Sequence, residues 1–518
     1  METYLYIISF IVSLSALIAW FYTAEKSSTS KLFSLLFFGG FLAYMLSLLS
    51  IEAANSQKLW VVFRDLIVLG LFSRFVSIFR NNRAIFYLLT VVLAGFIGYK
   101  YSNIMAHSFQ VKVDEQTTFS IENIELADDG ELLVEVKNNQ QITDLQAVID
   151  QYNLKYKIAF PNIEKKEITD LDDYYLIDIP DEWEGQRAEI ISALYESDLV
   201  DWVENNEVLK VSPMRSNSVP INSNFGVNDP GLKNVWGFDK MQMSKLYQLI
   251  RLSKLRPKKK SLVVILDTGV DAEHEDIQDN YQRIREKYGI DQHGHGTHCA
   301  GIAAAVSNNN IGIASFTPNN GFYRVSSVQV LSSSGSGTQQ GIVKGIIEAV
   351  DNGGDVLSLS LGGKSTDSKQ RAYKSAVDYA TERGAIVVVA AGNSNENAKD
   401  YAPANTAGVI TVSAVDEVLN KATFSNTIED LKMGIAAPGV NVYSTIPNNG
   451  YDAWNGTSMA TPYVAGLIGL MKSINPDLTT SQAYEILSET GIDTGDTALT
   501  GRFIQPNEAL KRLLKSMK

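Results

Sequence analysis

The octapeptide NGTSMATP, Asn455 to Pro462, runs directly into the apolar stretch YVAGLIGLM. This pattern fits a serine, Ser458, held at the start of a buried helix. Gly456 there lets a substrate approach the backbone, Thr457 and Ala460 leave room around the hydroxyl, and the first helical amides face a developing negative charge. A serine at a helix start also serves as an ordinary cap, so nucleophilic chemistry requires a base and an acid elsewhere. Upstream, Ser261 to Asp276 reads SLVVILDTGVDAEHED, an apolar run with the composition of a buried parallel strand that delivers Asp267 at its C-terminal end. His295 follows in DQHGHGTHCAGIAAA, between glycines and ahead of an alanine-rich helical stretch. Together these side chains suit acyl transfer, in which the imidazole takes the hydroxyl proton and the carboxylate orients the ring.

The chain order acid, base, nucleophile is that of subtilisin and differs from the serine, acid, histidine order of α/β-hydrolases. The setting G-T-S-M-A differs likewise from G-x-S-x-G. From about Asn228 to Leu514 the chain resembles the subtilisin-like serine peptidases. The resemblance implies Asp267 as acid, His295 as base and Ser458 as nucleophile, with Asn393 of VVVAAGN in the oxyanion hole. It also implies two substrate-lining stretches, Gly335, Ser336 and Gly337 on one side and Ser360, Leu361, Gly362 and Gly363 on the other. The implied substrate is a protein or peptide paired as a strand, and the chemistry needs no cofactor. A structural calcium ion is implied by Asp276 and by the loop VSNNNIGI, where Asn308 would add an amide oxygen, although the following ASFTPN departs from the family's small-residue pattern. The single cysteine, Cys299, excludes an internal disulfide and reads as a small buried hydrophobe beside His298. His293, His295 and His298 lack the spacing of a zinc site.

The elements that must position these residues recur as a unit. GTQQGIVKGIIEAVDNGG precedes DVLSLSLGG, and AYKSAVDYATERG precedes AIVVVAAGN, each a helix ending near glycine and then a buried strand. Repetition predicts an α/β fold, a parallel sheet with helices on both faces, and places site residues at strand ends and helix starts.

A chain of 518 residues exceeds one domain. Apolar runs at about Tyr4–Tyr22, Leu32–Leu49, Leu59–Phe79 and Ala84–Tyr101 predict a membrane region over 1–106 with about four transmembrane helices, the third carrying Arg64, Asp65 and Arg74. These 106 residues carry a net +4, which leaves −17 on the remainder of a chain whose net charge is −13. Such an acidic soluble part argues against nucleic acid as a partner. Lys26 and Lys31, and then Arg80 and Arg83, place the first and third loops in the cytoplasm, so the lipid bilayer is a partner and the peptidase is extracytoplasmic. Residues 107–213 contain strand-like and helix-like patterns in the order βαββαβ, a ferredoxin-like layout. Its position resembles that of the family's inhibitory propeptide. Residues 214–227, rich in Ser, Asn and Pro, read as an exposed linker, and 228–518 as the peptidase. This order of parts predicts self-processing between Val211 and Asn228. The alternative is a membrane sensor or assembly factor whose peptidase acts only on its own chain.

Overall fold

The computed structural model describes residues 27–50 and 125–517, apart from 139, 219, 222–223 and 366–369, together with scattered positions before 66. Contacts divide the chain into Met1–Phe119 and Ser120–Lys518. In the first unit, helix α1 (Ser27–Ser50) is the one helix among the described residues long and apolar enough to cross a membrane. Leu35, Phe38, Leu42 and Leu46 are exposed along it. Lys31, expected in a loop, lies inside this helix. Asp65 is buried and accepts a hydrogen bond from the Tyr44 hydroxyl at 2.9 Å, which gives a polar partner to one charge of the third apolar run. The fourth run, and Arg64 and Arg74 of the third, lie outside the described residues.

The second unit begins with β1 (Leu132–Val136), α2 (Gln146–Gln151), β2 (Lys155–Ile158), β3 (Tyr174–Asp178), α3 (Arg187–Glu196) and β4 (Val200–Asn205). The four strands form an antiparallel sheet in the order β2-β3-β1-β4. Alternate residues divide its two faces. Leu132, Val134, Ile177 and Val203 pack with Ile149, Ile190 and Leu194 of the two helices. Leu133, Tyr174 and Leu176 join instead the core of the following domain. The chain then forms β5 (Val208–Lys210) and β6 (Met214–Ser216).

The central sheet contains β7 (Ser261–Asp267), β8 (Tyr323–Gln329), β10 (Val356–Leu359), β12 (Ile386–Ala390), β14 (Ile410–Val415) and β15 (Gly434–Pro438), all parallel, in the order β15-β14-β12-β10-β7-β8. Its strands are apolar on both sides. Val263, Ile265, Val356 and Val388 face one core with helices α4 (His295–Ala304) and α7 (Thr457–Ile474). Leu262, Val264, Leu357 and Val389 face the other, with α5 (Gln339–Asp351) and α6 (Arg371–Glu382). Burial on both faces explains the continuous apolar runs of the sequence, which show no alternation. Short pairs surround the sheet: β9 (Ser336–Thr338) with β5, β11 (Gly363–Lys364) with β13 (Tyr401–Ala402), and β16 (Val442–Ile446) with β17 (Gly450–Asn455), which also takes β6 on its other edge.

That last pairing places the first three residues of the expected linker, 214–216, in a strand. Met214, Arg215 and Ser216 oppose Asn455, Trp454 and Ala453 in a ladder.

Candidate active site

Asp267 ends β7, His295 opens α4 and Ser458 stands at the second position of α7. All three are buried at the carboxyl edge of the sheet or at a helix start facing it. His295 Nδ1 lies 2.8 and 2.9 Å from the two Asp267 carboxylate oxygens, and Asp267 also accepts the Thr268 amide at 2.8 Å. A carboxylate held this way fixes the ring with Nδ1 protonated, so Nε2 is left as the basic nitrogen. Burial disfavours the imidazolium, but the charge of Asp267 and its hydrogen bond outweigh burial, and the His295 pKa is raised.

The backbone around His295 is tight. A Cβ on Gly296 would lie 2.0 Å from the Gly269 carbonyl oxygen, so only glycine permits α4 to start against the turn after β7. One residue missed by sequence reasoning organises this corner. Asp291 Oδ1 accepts from the Thr268 hydroxyl and from the amides of His293 and Gly294, and its Oδ2 accepts from the Thr297 amide and hydroxyl. Five hydrogen bonds to one carboxylate tie the loop after β7 to the first turn of α4. The sole signal in the sequence is an aspartate four residues before His295.

The Ser458 hydroxyl donates to the Ser360 carbonyl at 3.0 Å, while the Ser360 hydroxyl donates back to the Ser458 carbonyl at 2.7 Å. This reciprocal pair joins the start of α7 to the chain leaving β10. Asn393 follows β12, and its side-chain oxygen accepts from both the amide and the hydroxyl of Thr457 at 2.9 Å. With the oxygen so engaged, the Asn393 NH₂ group remains as the donor. Gly456 adopts φ of +155°, a value side chains rarely tolerate, immediately before this turn.

His298 stacks on Trp454 with centroids 4.4 Å apart and an interplanar angle of 3°. Burial pulls its pKa down to about 3, so it is a neutral packing residue. Cys299 is fully buried, with burial pushing its thiol well above the ordinary range, and is therefore an unreactive thiol beside the site.

Gly335, Ser336 and Gly337 do not stand open. Ser336 and Gly337 pair through β9 with Lys210 and Leu209, and the Gly335 carbonyl accepts from the Val211 amide at 2.9 Å. Across the cleft, Leu361 is buried, and a Cβ on Gly363 would lie 2.5 Å from the Leu209 side chain. The two stretches expected to line a substrate thus enclose a strand of the chain itself.

Asp276 is fully buried. It accepts from Asn309 Nδ2 at 2.9 Å and from the Ile313 amide at 2.8 Å, and burial lifts its carboxyl to about 8. Asn309, rather than Asn308, is the amide hydrogen-bonded to it. Asn308 is exposed, in a left-handed conformation, and gives its backbone N–H to Asp229.

The Subtilase family model matches residues 258–504. Among curated relatives, subtilisin DY of Bacillus licheniformis is 44% identical over 247 residues, covering 46% of this chain and 86% of that protein. Thermitase of Thermoactinomyces vulgaris is 43% identical over 218 residues, covering 41% and 74%. Subtilisin Savinase of Lederbergia lenta is 40% identical over 258 residues, covering 48% and 90%. Identity of this order across most of a relative's length goes beyond a shared fold, and the chain belongs to the subtilase family of serine peptidases.

Proposed function

We propose a membrane-anchored serine endopeptidase in which Ser458, His295, Asp267 and Asn393 carry the chemistry and residues 107–213 form a ferredoxin-like inhibitor domain. The observation that carries the reading is the Asp267–His295 pair at 2.8 Å, on a helix whose Cys299 Sγ lies 3.5 Å from the carbonyl oxygen of the helix-start serine Ser458, whose neighbour Thr457 orients Asn393. In the reaction, the Ser458 hydroxyl turns from the Ser360 carbonyl toward His295 Nε2 and attacks the peptide carbonyl as the ring takes its proton. Asp267 stabilises the resulting imidazolium without itself becoming protonated. Asn393 and the Ser458 amide donate to the oxyanion. The imidazolium then gives its proton to the leaving amine, and water completes the cycle through the acyl-enzyme. Hydrolysis of an added peptide by wild type once a cut within 211–228 has opened its cleft, lost in Ser458→Ala treated alike, is the expected result; unchanged turnover in the variant refutes the assignment.

The inhibitor reading is supported by how the first sheet meets the peptidase. Glu204 is buried and accepts the Arg371 and Ala372 amides at the start of α6, as well as Gln339 Nε2. Asn206 accepts the Gln340 amide at the start of α5. Polar side chains here meet the orphan donors of two helix N-termini. A cut within 211–228 is the maturation step of this reading. The anchor reading rests on α1, whose exposed leucines and phenylalanine a bilayer would cover. Multiple spans and an extracytoplasmic peptidase complete the proposal, and a reporter fused after Lys518 that functions only outside the cytoplasm is the outcome expected.

Calcium belongs to this reading as a structural ion. Asp276 is a buried carboxylate whose ionised form is costly, and the carboxylate of Asp229 adds further negative charge beside it. A hard divalent cation would favour that ionised form. Asp276, the Asn309 side chain after an amide flip, and carbonyls of the 306–313 loop would hold it, and it would supply stability only.

A further inference from the structure

Two stretches of one strand are hydrogen-bonded to opposite ends of the cleft, with only two residues between them. On the first side, Val208, Leu209 and Lys210 run antiparallel to Thr338, Gly337 and Ser336, and the Val211 amide reaches the Gly335 carbonyl. Leu209 and Val211 are buried there. On the second side, Met214, Arg215 and Ser216 run antiparallel to Asn455, Trp454 and Ala453. Asn455 lies three residues before Ser458 in sequence. On the first side, a Cβ on Gly335 would stand 2.9 Å from His293 Nε2, and the His293 ring is 6.2 Å from that of His295. The stretch between the pinned residues Val211 and Met214 therefore passes the serine and the histidine, and it consists of Ser212 and Pro213.

Three Cα–Cα steps reach at most about 11 Å, so the chain has no slack with which to offer a different bond. A slip by one residue would break both ladders and turn Leu209 and Val211 out of their contacts. Ser212 itself is exposed and adds little anchorage; the hold comes from either side of it.

Pro213 matters at this position because of what leaves. Attack on the Ser212 carbonyl forms the Oγ–C bond and moves the hydroxyl proton to His295. Collapse must then break the bond to the Pro213 nitrogen, which takes that proton and the electron pair. That nitrogen carries the ring Cδ in place of hydrogen, and its φ is locked near −65°. A ring carbon there would crowd the approach of the imidazolium, and the tetrahedral adduct would revert with the peptide whole.

We propose that Ser212–Pro213 is the bond this strand presents to Ser458 and that Pro213 keeps it uncut. The inference rests on the peptidase reading and deepens it: the maturing cut falls beyond the paired residues, within 217–228, and not at the bond presented to the serine.

The full chain with a C-terminal tag tests this by N-terminal sequencing and intact mass. Wild type is expected to retain the 212–213 bond. Pro213→Ala is expected to yield, in most molecules, a tagged fragment beginning at position 213, and Pro213→Ala combined with Ser458→Ala to remain whole. Ser458-dependent cleavage of wild type at 212–213 overturns the proposal. So does a Pro213→Ala chain that stays whole while hydrolysing added peptide, which leaves the peptidase reading intact. If no chain, including wild type nicked by an added protease, hydrolyses peptide, the peptidase reading fails and the latch with it.

Discussion

At the scale of single residues, the side chains proposed to act are distinguished from their neighbours by what holds them. Thr457 gives Asn393 two hydrogen bonds, leaving one direction for its NH₂ group. Replacing Asn393 by Ala is expected to lower kcat by about 10²–10³ with little change in KM, the loss that removal of this donor produces in subtilisin itself. A KM effect of the same size with kcat unchanged would place Asn393 in substrate binding instead. His295 must be neutral to accept a proton, and Asp267 raises its pKa against the opposing effect of burial. The acid limb of kcat/KM in opened enzyme should accordingly lie above the ordinary imidazole value of about 6.5, and a limb below it would show that burial wins. Asp267, His295, Ser458 and Asn393 could be singled out in the sequence because each sits inside a short motif at an element boundary. Asp291 was not, because its work is done through hydrogen bonds to backbone amides that leave no periodic trace. Three successive asparagines concealed a similar distinction: Asn308 and Asn310 both take left-handed conformations, and Asn309 between them turns inward to Asp276.

Among the elements, the helix-then-strand units were readable because both faces of the parallel sheet are covered and the runs are apolar throughout. Strand β6 was hidden, since Met-Arg-Ser carries no alternation and gains its structure from the free edge of β17. The helix starts of α5 and α6 matter beyond the fold. Glu204 satisfies two α6 amides that would otherwise face a buried interface unpaired. Hydrogen bonds of this charged kind contribute about 1.5–3 kcal/mol each way. Glu204→Ala should weaken the hold of the first sheet by roughly 10- to 150-fold and raise the background hydrolysis of added peptide by the full chain. Glu204→Gln, which keeps an acceptor, should fall between. Equal background in all three would mean that the strand in the cleft, and not the helix caps, sets inhibition.

For the whole molecule, the second unit is one body in which the first sheet and the peptidase share a hydrophobic core through Leu133, Tyr174, Leu176 and the residues around α5 and α6. A separate contribution is expected from the Asp276 loop: if calcium binds there, excess chelator should lower Tm, and Asp276→Asn should be less sensitive to chelator than wild type. A melting temperature that chelator leaves unchanged would make the buried carboxyl, lifted to about 8, a neutral structural group. In that case protonated Asp276 favours the fold below its folded pKa, and stability is lost as pH rises through about 8, the opposite sign to that of an ordinary ion-paired carboxylate.

The paired strand across the cleft also turns the serine into a clock. On the proposed reading, a reagent that bonds to Ser458 must wait for β5 and β6 to lift, so its labelling rate is the intrinsic rate multiplied by the fraction of molecules momentarily open. A strand held by about 2.7–4.1 kcal/mol would be lifted in roughly one molecule per hundred to one per thousand. Labelling would then be slow but complete, first order in reagent, and accelerated by any force or ligand that loosens either ladder. In such a protein the number of active sites counted at the end of a titration is unchanged by inhibition; only the time taken to count them differs.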